Sequence, residues 1–225
     1  HEREDVKENL PDVLVPDISS GPIFYSTILN NLNCFENYYI TSEDRNRTTY
    51  YKDNFKRDLL LKNADNKDQW INQLKIRIKI EKVNKKNIER TIQLLNKTNQ
   101  MNMRTMRYSE NEFKKKYLNS NSKNKIYVAN VKDKFGSYGL TGIISYRSFE
   151  KKYEVEDFVL SCRVMGRGVE EGLINHIKSE GKKKKIQKIV FRYLKTKKNK
   201  PMLDFLKQSK ALNMLKMNTF EIKTS

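Results

Sequence analysis

Residues 163–168, Arg163, Val164, Met165, Gly166, Arg167 and Gly168, follow the pattern R-x-x-G-x-G. Glycines let backbone amides turn inward onto an anion with no Cβ in the way. The two arginines add charge-assisted bonds to phosphate oxygens. The run sits where a strand-like stretch, EVEDFVLSCRV (154–164), gives way to a helix-like one, GVEEGLINHIKSEG (168–181). The positive end of a helix would therefore point at the same place. The spacing is not the dinucleotide G-x-G-x-x-G, and it lacks the Lys-Ser/Thr of a P-loop. A glycine pair between strand and helix also serves as a plain turn, and spacing alone leaves both readings open.

Cys162 precedes this run, and two arginines with a helix start nearby would favour its thiolate. The competing expectation is a buried strand cysteine that shares a face with Phe158 and Leu160. Asp157 and Glu156 are the nearest carboxylates, suited to general-base work or simply solvated at a strand end. His176 falls mid-helix, where a surface or edge position is expected. Asn199 opens a helix and reads as an N-cap, with a ligand contact as the alternative.

Composition bounds the partners. Lys and Arg number 46 against 27 Asp and Glu, a net charge of +19 over 225 residues. Such a surface attracts anions: nucleic acid, a phosphorylated cofactor or an acidic protein. The abundance of Lys, Asn and Ile equally describes a solvated basic surface. KKKK (182–185) lies in a connection and reads as a solvated loop. The two cysteines, Cys34 and Cys162, form no CxxC, which fits a reducing, cytoplasmic setting. Two histidines, His1 and His176, exclude a His-based metal cluster. No apolar run reaches the roughly 18–20 residues of a membrane span. The first residue is not Met, and the expectation is a piece of something longer.

The elements that would position these residues follow from periodicity. Residues 13–16 (VLVP) read as a short buried strand, 22–32 as helical, and 41–62 as a charged helix capped by Thr41 or Ser42. DNKDQWINQL (65–74) reads as a short helix, in which Trp70 and Leu74 would seal the junction to what precedes. KIRIKIEKV (75–83) alternates as a half-buried strand. Residues 84–100 read as a helix from Asn84, and Ser109 with Glu112 has capping-box spacing. KIYVANVKD (125–133) and LTGIISYR (140–147) form a hairpin, and 154–164 a further strand. A helix to Gly181 as C′ follows, then a strand (185–194), a helix (199–212) with Pro201 in its first turn, and a strand (217–223). From residue 75 the order is β-α-α-β-β-β-α-β-α-β.

That order resembles the GNAT acyltransferases. The stretches KTNQMNMRTMRYSENE (97–112), VKDKFGSYGLTG (131–142), EDFVLSCRVMGRGVEE (156–171) and RYLKTKKNKP (192–201) resemble the C-terminal half of FkbH-like proteins. LPDVLVPD (10–17) and TSEDRNRTTYY (41–51) are similar to the segment joining that half to a HAD-type (subfamily IIIC) phosphatase domain. The resemblance implies an α/β (α+β) chain with a GNAT-like mixed central sheet flanked by helices. Residues 1–62 would be the tail of a HAD-like domain with connecting helices, and 63–225 the GNAT-like domain.

The resemblance further implies acyl transfer to or from a phosphopantetheine thiol: loading of a glyceryl or related acyl group onto an acyl carrier protein. Residues 163–168 would hold the pyrophosphate of coenzyme A or the phosphate of a carrier's phosphopantetheine, with Asn199 nearby. Cys162 would carry the acyl group as a thioester, Asp157 would act as base, and Asn99 or Gln100 would face the acyl pocket. An arm lying along the strand would place its thioester nearer Asp157 than Cys162, at about 3.3 Å per residue. The HAD paired aspartates are absent, so Mg²⁺ would belong only to an upstream part. The helix MLDFLKQ (202–208) offers Phe205 and Leu206 where such folds often carry a general-acid Tyr, a departure from acetyl transfer to an amine. The alternatives are an acyl-CoA-dependent N-acyltransferase in surface polysaccharide biosynthesis, and a non-catalytic carrier-docking or basic nucleic-acid-binding module. No membrane partner is expected.

Overall fold

The computed structural model describes residues 2–18, 21–35, 47–119, 122–216 and 218–224. Its chain divides by contacts into two units, His1–Arg47 and Thr48–Ser225. In the first, α1 (Glu2–Asn9) and α2 (Tyr25–Asn30) bury none of their residues. The strand expected at 13–16 does not form, and Val13 and Leu14 are exposed. Among the described residues no strand lies beside it to pair its amides, and a four-residue apolar run is not held extended by itself.

The second unit is built on a seven-stranded mixed sheet. β1 (Arg77–Lys82), β2 (Asn124–Lys132), β3 (Ser137–Ser148) and β4 (Lys152–Leu160) pair antiparallel in sequence order. β5 (Lys188–Arg192) lies parallel to β4, β7 (Thr219–Lys223) antiparallel to β5, and β6 (Asn213–Lys216) at the far edge. Side chains alternate across the sheet. Ile144, Phe158 and Leu160 join one core with Val169, Leu173, Ile177, Met202 and Leu206 of the helices α7 (Val169–Lys183) and α8 (Lys200–Gln208). Ile143 and Val159 join another with Leu94 and Leu95 of α5 (Ile88–Lys97), and with Phe113 of α6 (Glu110–Phe113).

Several expectations hold with local causes visible. The capping box at Ser109 and Glu112 is complete in both directions. The β2–β3 turn is set by Asp133, whose carboxylate accepts from the amides of Phe135 and Gly136. At Gly136 a Cβ would come within 2.1 Å of Asp53 Oδ2, so a larger residue there would displace the Asp53 carboxylate.

Other expectations are corrected. α5 begins at Ile88, because Asn84 closes a local turn onto the amide of Lys86 instead of capping. α7 continues past Gly181 to Lys183, since Gly181 is buried against Ile189 and Thr224; Lys185 takes the left-handed turn instead. β4 stops at Leu160, so 162–164 is a 3-10 turn and not strand. The strand β6 was not expected. The charged helix is α3 (Arg47–Lys62), and its expected caps Thr41 and Ser42 lie outside the described residues. By contacts α3 from Thr48 on belongs to the second unit, not with the leading segment. Arg57 on α3 ion-pairs with Asp133, and Trp70 of α4 (Lys67–Leu74) donates its indole N–H to Arg57 O.

Candidate functional site

β4 carries the two candidate carboxylates, Glu156 and Asp157. Its ladder with β3 pairs Ser145 with Asp157 and Tyr146 with Val155, so Glu156 is an extra, bulged residue. A bulge re-aims neighbouring side chains. Here two successive carboxylates meet one polar cluster.

Asp157 is 1% exposed. It accepts from Tyr108 Oη at 3.1 and 3.3 Å, from Ser145 Oγ at 2.8 Å, and from Tyr117 Oη. Lys116 Nζ donates to Tyr108 Oη at 2.9 Å and to Glu156 at 3.2 Å, and Arg104 reaches Glu156 at 3.3 Å. Burial and the Asp157 charge push the Tyr108 and Tyr117 phenols above the ordinary tyrosine range. Burial opposes the Lys116 ammonium. Its bond to Tyr108 and the charge of Asp157 outweigh that and hold it above its ordinary value. Asp157 is thus occupied by three hydroxyl donors and does not face solvent as an open base. Glu156, with 19% of its side chain exposed, is the carboxylate of the pair that reaches the surface. Tyr108, Tyr117, Ser145 and Lys116 were not singled out from sequence.

The turn after β4 holds Cys162 and residues 163–168. Ser161 N donates to Thr141 O at 2.8 Å, which ties the turn to β3. Cys162 is exposed, which corrects the expectation of a core cysteine: the strand ends before it, so it shares no face with Phe158 and Leu160. Arg163 packs over Tyr50, 4.9 Å to the ring centroid. Val164 is buried and Met165 exposed. Gly166 and Gly168 both have positive φ, 68° and 81°. The amides of Val164 and Met165 are used within the turn, and Gly166 N donates to Glu170 Oε1 at 2.7 Å. Among the described residues the amides of Arg167 and Gly168 bond no protein acceptor. They lie at the start of the 15-residue α7, where backbone amides and the helix field suit an anion. Arg167 is committed elsewhere. It donates to Tyr138 Oη, and its guanidinium lies 5.1 Å from the Trp70 and Tyr138 rings.

Asn199 is wholly buried. Its Nδ2 donates to Asn102 O (3.0 Å) and Leu194 O (2.9 Å), and its Oδ1 accepts from Tyr193 Oη (2.6 Å) and Thr196 N (2.8 Å). It stands at the N-cap position of α8 but makes no side-chain cap bond, and its amide is fully used. Neither expected role, cap or ligand contact, is what its side chain does. Asn99 is half-buried and accepts from Arg107; Gln100 is exposed. His176 stacks edge-on to Tyr127 at 4.5 Å, away from the turn, and burial lowers its imidazole below the ordinary value.

A hollow of about 420 Å³ lies between Gln187, Lys188, Glu221 and Lys223, at the N-terminal end of β5, and contains none of these candidates. Among the described residues no group of three or more His, Cys, Asp or Glu is arranged to hold a metal ion, and no helix is long and apolar enough to cross a membrane.

The strand order, four antiparallel strands and then a parallel step from β4 to β5, is the GNAT-like mixed sheet expected from sequence. No protein-family model matches the chain, and no curated protein does. Solved structures resemble it at low identity. A GNAT-family acetyltransferase from Staphylococcus aureus is matched over 66% of this chain and 100% of its own, at 11% identity and a TM-score of 0.48. The PaiA N-acetyltransferase from Thermoplasma acidophilum, in complex with coenzyme A, is matched over 65% and 99%, at 16% identity and 0.44. A domain from Methanocaldococcus jannaschii is matched over 66% and 99%, at 10% identity and a TM-score of 0.51, which supports a shared fold with that domain.

Proposed function

We propose that the second unit is an acyltransferase acting on a phosphopantetheine thiol, that of coenzyme A or of a carrier protein. One observation carries this reading. β4 runs directly into a turn that exposes Cys162 and presents the unbonded amides of Arg167 and Gly168 at the start of α7. A thiol nucleophile beside an anion-binding helix start suits a ligand that carries both phosphate and thioester. At the phosphate end the two amides would hold the group, with Arg163, whose Nε donates to Ser161 Oγ, beside them, and Cys162 would be the thiol that takes the acyl group from a thioester donor as the donor's own thiol leaves. The arm end does not fit as the structure stands, because the backbone of β4 beyond the bulge is already bonded to the chain's own residues 101–103.

In its finer form the reading is the FkbH-like one. A glyceryl or related acyl group would be loaded onto an acidic carrier protein drawn by the +19 surface, in partnership with an upstream phosphatase centre. The chemistry of Mg²⁺ would belong to that centre.

Binding is tested by the fluorescence of Trp70, the single tryptophan, which lies against Arg167. Coenzyme A and 3′,5′-ADP should each change it saturably, and no response to either up to millimolar concentration would overturn the reading. Transfer is tested by intact mass after incubation with acyl donor, with a carrier protein and an amino sugar as competing acceptors. A carrier adduct is expected. An amino-sugar product alone would favour the polysaccharide N-acyltransferase.

A further inference from the structure

We propose that residues 101–103 are a cis-acting plug in the crevice between β4 and β5, latched by Asn199, which an amide-bearing ligand arm must displace. This rests on the function proposed above. β4 and β5 are the parallel pair in the sheet, and their ladder stops at Val155 and Phe191, where the Glu156 bulge turns β4 aside. In open α/β sheets, ligands enter the crevice outside the carboxyl ends of parallel strands. Here that crevice contains chain. Met103 N donates to Phe158 O at 3.0 Å and Leu160 N to Met101 O at 2.9 Å, so the segment adds as a short antiparallel strand to β4. On the other side Leu194 N, just past β5, donates to Met103 O at 3.0 Å. Met101, Asn102 and Met103 are all at most 1% exposed.

The latch is a single side chain. Asn199 Nδ2 bridges Asn102 O of the plug to Leu194 O of the β5 extension. Asn102 also holds its own loop closed, accepting from the amide of Thr105 at 2.8 Å and donating to Thr98 O at 3.1 Å. The plug occupies Phe158 O and Leu160 N, one acceptor and one donor on the strand that leads to Cys162 and the turn. An extended arm with amide groups, such as pantetheine, offers the same pair of bonds by strand addition. A ligand that must first eject the plug binds more weakly by the fraction of open molecules.

The test is amide hydrogen exchange, read by mass spectrometry or NMR, on the whole chain with and without coenzyme A, and with 3′,5′-ADP, which has the phosphates but no arm. Coenzyme A should release the amides of Met103 and Leu194 while keeping Leu160 protected; 3′,5′-ADP should leave all three protected. Asn199→Asp, which keeps the shape and removes the bridging donor, should speed exchange at Met103 and Leu194 without ligand. It should also tighten coenzyme A by about tenfold or more, since a carboxylate facing Asn102 O and Leu194 O loses the donor and adds repulsion, and leave 3′,5′-ADP unchanged. Coenzyme A binding with Met103 and Leu194 still protected would overturn the plug and leave the acyltransferase reading standing. No binding of coenzyme A to either protein, with the variant's amides shown to be open, would overturn both. If Asn199→Asp does not fold, the wild-type exchange pattern decides alone.

Discussion

Arg57 meets Asp133 side-on, with Nε 2.6 Å from Oδ2 and Nη2 3.0 Å from Oδ1, and both side chains buried. The pair joins α3 to the β2–β3 turn, and its reach extends further. Tyr138 donates to the same Asp133 oxygen at 2.7 Å, the Arg57 guanidinium lies 4.0 Å over the Tyr138 ring, and Tyr138 Oη in turn accepts from Arg167. A run of contacts thus leads from α3 to the turn after β4.

Breaking that pair strands a buried charge. Arg57→Ala should cost about 3–5 kcal/mol in urea unfolding, whereas Asp133→Asn, which keeps the turn acceptor, should cost less. Burial raises the Asp133 carboxyl, but the Arg57 and Tyr138 bonds prevail and hold it below the usual range. Its folded value lies under the unfolded one, so its contribution is full above about pH 4 and lost as pH falls through the folded value. Urea midpoints from pH 6 to pH 2 should show an acid slope that Asp133→Asn reduces. An unchanged slope would refute this assignment.

Asp157 raises the phenol of Tyr108 by its negative charge, second to burial. Replacing it with Asn removes that charge and nearly preserves the shape. In Asp157→Asn, Tyr108 should titrate at lower pH than in the parent, seen by NMR of ring-labelled tyrosine. Lys116, which Asp157 helps to hold protonated, should also titrate lower. Tyr117→Phe removes one donor and should cost about 1 kcal/mol or a little more. If the Tyr108 titration is indifferent to residue 157, the charge coupling is wrong.

What was legible in the sequence was local. The alternation of Ile76, Ile78 and Ile80, the Ser109–Glu112 box and the glycine turn into α7 each depend on neighbours within a few positions. The polar cluster was not legible, because Tyr108 and Asp157 are 49 positions apart and Asn199 finds Asn102 across 97. Asn199 stood at a cap position, but its side chain was claimed by tertiary partners. For Cys162 the sequence leaves nucleophile and core cysteine both open, because a strand pattern of period 2 cannot show where pairing ends. β6 was missed because all four of its residues are exposed, leaving no alternation to detect.

Cys34 and Cys162 are both exposed in the native chain. Both thiols should react with a small disulfide reagent without denaturant, and Cys34→Ser should leave one fast-reacting equivalent. A thiol in the Cys34→Ser protein that reacts only on unfolding would return Cys162 to the core. With Cys162 blocked by a maleimide, acyl labelling of the chain should vanish while 3′,5′-ADP still binds, since the amides of Arg167 and Gly168 are left in place.

Glu170 sets the charge of the turn from within. Its carboxylate is 2% exposed, lies in the first turn of α7 and accepts the amide of Gly166. A carboxylate at a helix start opposes by its charge any anion brought to the neighbouring amides of Arg167 and Gly168. Glu170→Gln keeps an acceptor for Gly166 and removes the charge. It should therefore tighten 3′,5′-ADP on the order of 2- to 30-fold, the range of a charge at a helix terminus, and the gain should shrink as salt rises from 0.05 to 0.5 M, values chosen to span about 14 to 4 Å of screening length. Glu170→Ala, which strips the acceptor as well, should lose some of that gain because the turn loosens. Weaker binding by Glu170→Gln would mean that the carboxylate supports the turn by shaping it more than it opposes an anion by charge.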